Sequence, residues 1–241
     1  MSPSIDGELS KRWSKDRWKK FRALLENVME SNPFQKTRLP DLLGVSELRD
    51  FEDFLSVCPF TSKDELAKDR LENPPYGTNL SFPRNQYLKF HQTSGTLGKP
   101  MAWLDTSEDW KWMLGNWDRV LQAAGVDRGH RCYFAFSFGP FLGFWTAYDA
   151  AQRRGCLCMP GGGQGSEQRI RSMLEHEVEF LFCTPTYALR LPEVAKQAGI
   201  DLNGHRLRKI IVAGETGGSS PAFREQVGDV WGNDLALHDH Y

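Results

Sequence analysis

The chain of 241 residues is 40% hydrophobic and 25% charged, with 30 Lys and Arg against 31 Asp and Glu for a formal charge of −1. That composition is average for a globular protein and excludes collagen-like, coiled-coil and wholly disordered chains. The near-zero charge lacks the basic excess of a nucleic-acid or anionic-membrane binder, and the opening MSPSIDGELSKRW lacks the apolar stretch of a secretory signal.

In chain order, the first third predicts helices. From Trp13 to Met29 the apolar residues Trp18, Phe21, Leu25 and Val28 recur at intervals of three and four, the spacing of one helix face, and Asn32-Pro33 is expected to stop that helix. Ser62 and Glu65 stand at capping-box spacing at the start of a second helix. Short strands are expected at Tyr87–His91 and Met101–Thr106, on either side of a Gly/Thr/Ser loop. An amphipathic helix follows, with Trp110, Met113, Leu114, Trp117, Val120 and Leu121 on one side and Gly125 as its stop. At that spacing Trp110, Trp112 and Trp117 read as core or domain-contact residues rather than as a stacking platform for a ligand.

From residue 131 strands and helices alternate. Strands are expected at Cys132–Phe136, Cys156–Met159, Val178–Cys183, Leu207–Ala213 and Leu235–Asp239, with helices near 143–153, 166–176, 185–198 and 221–231. Short, near-continuously apolar strands in this alternation predict an α/β protein, in which a helical N-terminal segment (1–80) precedes parallel βαβ sheet layers (81–241). Residues 132–148 carry no charge, but Gly139-Pro140 and Gly143 break the run, so it is read as strand, loop and helix start, not as a membrane span. The five cysteines, Cys58, Cys132, Cys156, Cys158 and Cys183, form no CxxC pair and are expected to be reduced, buried thiols of a cytoplasmic protein.

In such sheets ligands sit beyond the carboxyl ends of the strands. The strongest local signal is Thr93-Ser94-Gly95-Thr96-Leu97-Gly98-Lys99-Pro100, whose glycines, hydroxyls and lysine suit a polyphosphate. It is not a Walker loop, which needs four residues between its glycines and a Ser or Thr after the lysine; an ordinary hairpin turn has a similar composition. Pro160-Gly161-Gly162-Gly163-Gln164-Gly165 is, on its own, most simply a flexible crossover loop. Glu215, in Ala213-Gly214-Glu215, is either a ligand's hydrogen-bond partner or a solvated carboxylate. His238 and His240 share a strand face but have no evident third ligand, so no metal site is expected. No GxSxG elbow marks a hydrolase.

Taken together, these loops resemble the adenylate-forming acyl-CoA ligases, and within them the phenylacetate–CoA ligase family. The likeness is carried by the 93–100 loop, Pro160-Gly161-Gly162-Gly163, Thr184-Pro185-Thr186-Tyr187-Ala188-Leu189, Ala213-Gly214-Glu215 and Asp239-His240-Tyr241, with echoes at Asn32-Pro33-Phe34 and Pro59-Phe60-Thr61-Ser62-Lys63. Leu97 stands where the family usually has a second threonine.

The resemblance implies ATP-dependent activation of a carboxylic acid, a phenylacetate-like aryl acid foremost, to an acyl-AMP, followed by transfer to coenzyme A, with Mg2+ as the metal of the reaction. By the same resemblance Thr93, Ser94, Gly95, Thr96, Gly98 and Lys99 hold the β- and γ-phosphates, with Lys99 and Thr96 catalytic. Ala213, Gly214, Glu215, Asp239 and His240 then border the nucleotide, Tyr241 stacks on its base, and Phe136, Phe138, Gly139, Phe141 and Tyr187 form the acid pocket. Family members continue past the position of Tyr241 with a magnesium-binding glutamate, a ribose-binding aspartate and a mobile domain carrying the adenylation lysine. The chain is therefore expected to be the N-terminal part of a longer enzyme, itself poorly active. Two alternatives stand beside this: a non-catalytic nucleotide-binding or interaction module, and an adenylating enzyme that loads a carrier protein. A small-molecule acid is the expected partner, neither nucleic acid nor membrane is, and a homodimer is left open.

Overall fold

In the computed structural model, which describes residues 14–39, 47–93, 100–232 and 234–240, each N-terminal helix starts at a polar cap. Ser14 caps α1 (Lys15–Ser31), its Oγ accepting from the Arg17 amide. Asn32 closes α1 by donating its N–H to the Val28 carbonyl and at once opens α2 (Pro33–Arg38), its side chain accepting from the Gln35 amide. Pro33 is thus the first residue of a new helix, where a missing N–H costs nothing. A third helix not expected from the sequence, α3 (Phe51–Val57), is capped by Asp50. The Ser62–Glu65 capping box opens α4 (Lys63–Glu72) as its spacing predicts. Leu25, Met29, Leu39 and Leu48 form the core here, with Trp18, Phe21 and Phe54 packed against it.

The chain divides into two compact units, residues 1–88 with 101–104, and residues 89–100 with 105–241. Strands β1 (Tyr87–Gln92) and β2 (Ala102–Thr106) form a two-stranded sheet. From β2 the chain enters α5 (Ser107–Ala123) through a Thr106–Asp109 capping box. In the second unit Asp149 accepts from the Trp110 indole at 2.9 Å and pairs with Lys89 at 3.1 Å. Buried His91 stacks on Trp110 with its Nδ1 3.1 Å from Asp105 Oδ2, and burial raises the Asp105 carboxyl above its ordinary range.

The remaining elements are β3 (Arg131–Phe134), α6 (Leu142–Arg154), β4 (Leu157–Pro160), α7 (Ser166–Glu175), β5 (Phe180–Cys183), α8 (Pro185–Gln197), β6 (Lys209–Ala213), α9 (Pro221–Trp231) and β7 (Ala236–His240). The five strands pair in parallel in the order β4-β3-β5-β6-β7. Their residues alternate between two cores. Cys132, Phe134, Phe180, Phe182 and Ile211 face the layer of α5 and α6, while Tyr133, Leu181, Cys183, Ile210 and Val212 face that of α7, α8 and α9. Both faces of the inner strands are covered, which is why Cys132–Phe134, Phe180–Cys183 and Ile210–Ala213 read as apolar runs. The α/β class expected from the alternation is the one observed. No helix among the described residues is long and apolar enough to cross a membrane.

Candidate active site

The carboxyl ends of the strands gather the loops that the sequence singles out. β6 delivers Ala213 and Gly214, β7 delivers His240, and α6 begins nearby at Leu142. A cavity of about 370 Å³ lies among them, lined by Met113, Asn116 and Trp117 of α5, Leu142, Gly143 and Thr146 of α6, Ala213, Gly214 and His240. The Trp117 ring sits at 64° to that of His240, their centroids 4.4 Å apart. Burial lowers the His240 pKa, against the opposing pull of Asp239, so the imidazole is neutral at neutral pH.

The three tryptophans of α5 have separate fates. Trp110 is buried in the core, Trp112 is 72% exposed and Trp117 borders the cavity. The core reading therefore holds for Trp110 and for Trp117, which packs against the same core while also bordering the cavity, and not for Trp112. A period of 3.6 residues marks a face of the helix but does not say whether a protein core or a cavity lies opposite it.

Glu215 is bonded within the protein. Its carboxylate accepts from the Thr186 amide at 3.0 Å and the Thr186 hydroxyl at 2.9 Å, joining the loop after β6 to the start of α8. Burial opposes its ionisation, but these bonds and one from Thr184 outweigh that and hold the carboxyl below its ordinary range. Asp239 Oδ2 accepts from Ser219 Oγ at 2.6 Å, while its buried Oδ1 has no hydrogen-bond partner among the described residues. Gly218 makes room for that carboxylate: a Cβ there would stand 2.8 Å from it.

The Gly-rich loop after β4 is fastened rather than flexible. The Gly161 amide donates to the Phe134 carbonyl at 2.9 Å, and Tyr133 hydrogen-bonds Gln164. Arg169, a buried side chain of α7, donates to the carbonyls of Gly161 (2.9 Å), Ala135 (3.1 Å) and Phe136 (3.3 Å), with its guanidinium carbon 5.2 Å from the centre of the Tyr187 ring. One cation thus ties the ends of β3 and β4 together beneath the start of α8.

The aromatic residues proposed for the acid pocket pack on one another. Phe136 stacks on Phe144 with centroids 4.1 Å apart, Phe138 meets Trp145 edge-on, and Phe141 meets Phe144. The Gly139 carbonyl accepts from the Trp145 indole at 3.0 Å. Tyr187 bonds Ser166 and borders a separate open groove with Thr186, Leu189, Arg190 and Glu193. None of Phe136, Phe138, Gly139, Phe141 and Tyr187 borders the 370 Å³ cavity, whereas Ala213, Gly214 and His240 do. Thr93 is described; Ser94, Gly95, Thr96, Gly98, Lys99 and Tyr241 lie outside the described residues. Among the described residues no group of three His, Cys, Asp or Glu is placed to hold a metal ion.

Sequence reasoning gave no site role to Met113, Asn116, Thr146 and Arg169, whereas Leu142 and Gly143 lie within the segment Phe136–Phe144 expected to form the acid pocket. The uncharged stretch around Gly143, at a helix start following a strand, was the available signal for part of this set.

No family model matches the chain. It is 27% identical over 213 residues to the phenylacetate–coenzyme A ligase of Pseudomonas putida, covering 88% of this chain and 46% of that protein. To the enzyme of the same name from Thermus thermophilus it is 30% identical over 210 residues, covering 86% and 45%. Among solved structures, a 2-hydroxyisobutyryl-CoA ligase in complex with 2-HIB-AMP and CoA matches with a TM-score of 0.85 at 23% identity, covering 99% of this chain and 52% of that one. An open conformation of that ligase gives a TM-score of 0.83. At such identity the structural likeness establishes the fold. The chain spans about half the length of the curated relatives it matches. By sequence the chain is similar to phenylacetate–coenzyme A ligases over most of its own length while spanning about half of theirs, and its fold is that of the solved CoA ligase.

Proposed function

We propose that this chain forms the nucleotide- and acid-binding part of a ligase that activates a carboxylic acid, a phenylacetate-like aryl acid foremost, with ATP and passes the acyl group to coenzyme A. A carboxylate oxygen attacks the α-phosphorus and pyrophosphate leaves, giving the acyl-AMP. The coenzyme A sulfur then attacks the acyl carbonyl, its proton is lost to solvent, and AMP leaves. The observation that carries this reading is the sequence relationship to phenylacetate–coenzyme A ligases over most of the chain.

The cavity supports it, since Met113, Trp117 and Leu142 offer an apolar wall for an aryl tail at the edge of the sheet where such folds bind ligands. In this reading Thr93, Ser94, Gly95, Thr96, Gly98 and Lys99 take the β- and γ-phosphates, with Lys99 and Thr96 stabilising the departing pyrophosphate. Ala213, Gly214 and Glu215 border the adenine, with Asp239 and His240 beside the nucleotide. Tyr241 stacks on the base, worth roughly 1–3 kcal/mol. The packed aromatic residues Phe136, Phe138 and Phe141 act as the support from which α6 starts. Mg2+ finds no protein cage among the described residues and would travel on the ATP phosphates.

The test, made on the longest protein that the gene encodes, is acid-dependent exchange of pyrophosphate into ATP, screened over aryl, arylacetic and fatty acids. Exchange with arylacetic acids, slowed at least about tenfold by Lys99→Ala, is expected. A protein that binds ATP yet exchanges with no acid overturns the ligase reading in favour of a nucleotide-binding module.

A further inference from the structure

Gly143 holds an unusual place in the cavity. It is the second residue of α6, and a Cβ built on it meets no heavy atom within 4 Å. Gly214, which lines the same cavity, is different: its φ of 88° disfavours any side chain. Gly143 is not among the glycines with positive φ, so its backbone does not require glycine. Glycine within a helix instead costs roughly 0.5–1 kcal/mol relative to alanine. What the missing side chain leaves is room in a cavity of about 370 Å³. An apolar cavity of roughly 150 Å³ holds a benzene ring. The space at Gly143 therefore suits an aromatic ring together with the short chain that joins it to a carboxylate. Met113, Trp117, Leu142 and His240 are the large lining residues, with Trp117 set against His240 at 4.4 Å.

We propose that Gly143 is a specificity-determining residue that sets the size of the acid: its absent side chain leaves the volume an arylalkanoic tail occupies, while Trp117, packed on His240, sets the upper limit. The proposal rests on the acid-activating reading above and names the residues that would select the acid.

Two non-hydrolysable analogues of the acyl-AMP, acetyl- and phenylacetyl-sulfamoyl adenosine, are titrated calorimetrically into the protein. The wild type is expected to bind the phenylacetyl analogue more tightly. Because one methylene is worth about 10- to 200-fold in a fitted pocket, Gly143→Leu should move the ratio of the two dissociation constants at least about tenfold toward acetyl, with Tm no lower than that of the wild type. Trp117→Ala should move selectivity the other way, toward a 4-phenylbutyryl analogue. An unchanged ratio in a folded Gly143→Leu protein overturns the role of Gly143 and leaves the acid-activating reading standing. Wild-type protein that binds none of the analogues overturns both. Gly143→Ala, the milder substitution, keeps the test available if the leucine variant does not fold: a shift toward acetyl supports the role, and none overturns it.

Discussion

Replacing Arg169 by methionine asks how much stability depends on a single buried cation. The side chain is 9% exposed and bonds three carbonyl oxygens at 2.9, 3.1 and 3.3 Å. Hydrogen bonds from a charged donor contribute about 1.5–3 kcal/mol each, and the longest of the three falls near the bottom of that range. Their gross sum is offset by the cost of dehydrating a guanidinium, and methionine keeps much of the apolar stem. A net loss of about 3 kcal/mol follows, arising mainly from the carbonyls of Ala135 and Phe136 losing their donor, since that of Gly161 keeps the Gln164 amide. At roughly 2–4 °C per kcal/mol for a chain of this length, Tm falls by about 6–12 °C. Urea unfolding followed by circular dichroism on wild type, Arg169→Met and Arg169→Lys gives the free energies directly. Lysine carries the charge but cannot span three acceptors, so it should recover only part of the loss. A loss below about 1 kcal/mol in Arg169→Met, with the m-value unchanged, would refute the idea that this cation holds the ends of β3 and β4 together.

Gly161→Ala places a Cβ 2.9 Å from both the Phe134 carbonyl and the Tyr133 ring, so scanning calorimetry should show a loss of about 1–3 kcal/mol from forced backbone movement. Glu215→Ala removes the acceptor of the Thr186 amide and hydroxyl and should cost about 1 kcal/mol, as loss of a helix cap does. Because the folded-state pKa of Glu215 lies below its ordinary 4.5, the carboxylate's contribution is present above that pH and lost as the pH falls. Urea midpoints of wild type and variant should accordingly converge in acid. Burial depresses His238 and His240 below 6.5, so the unfolded chain takes up their protons more readily. Stability should be full above about pH 6.5 and decline below it, less steeply in a double His→Gln variant.

The sheet was readable because its inner strands are buried on both faces: Phe180–Cys183 and Ile210–Ala213 are apolar at every position and leave no polar alternation to mistake for anything else. Ser62 and Glu65 were readable because a capping box is a local bond pattern. Helix α3 was missed because seven residues, FEDFLSV, are too few to display a period. Asn32-Pro33 stops the first helix as its sequence predicts; the helix that opens at Pro33 was not legible, because proline favours a first turn as strongly as it opposes an interior and only Asn32's dual bonding reveals the restart. The cavity needed the fold itself. Trp117 and His240 stand 123 positions apart (240 − 117), and nothing local to either announces the other. Arg169 looks like any polar residue of an amphipathic helix; its burial is set by carbonyls from two other chain segments.

The alternation of β3 and β5 between two cores makes the sheet a partition between unlike compartments. On one side Phe134 stacks on Phe182 at 4.4 Å and meets Tyr148 edge-on; on the other, Leu181, Ile210, Val212, Leu191 and Ile170 interdigitate as branched aliphatics. A one-residue deletion within Phe180–Cys183 would exchange the two rows, sending rings into the core that holds Leu181, Ile210 and Val212 beside Tyr133, Phe223 and Trp231, and leaving Phe134 without the face it stacks on. Neither compartment could absorb the other's contents, so a frame error of one position in a central strand disturbs both at once. The cavity belongs to the ring-rich side, whose members turn about few bonds, and its walls are therefore set before any ligand arrives.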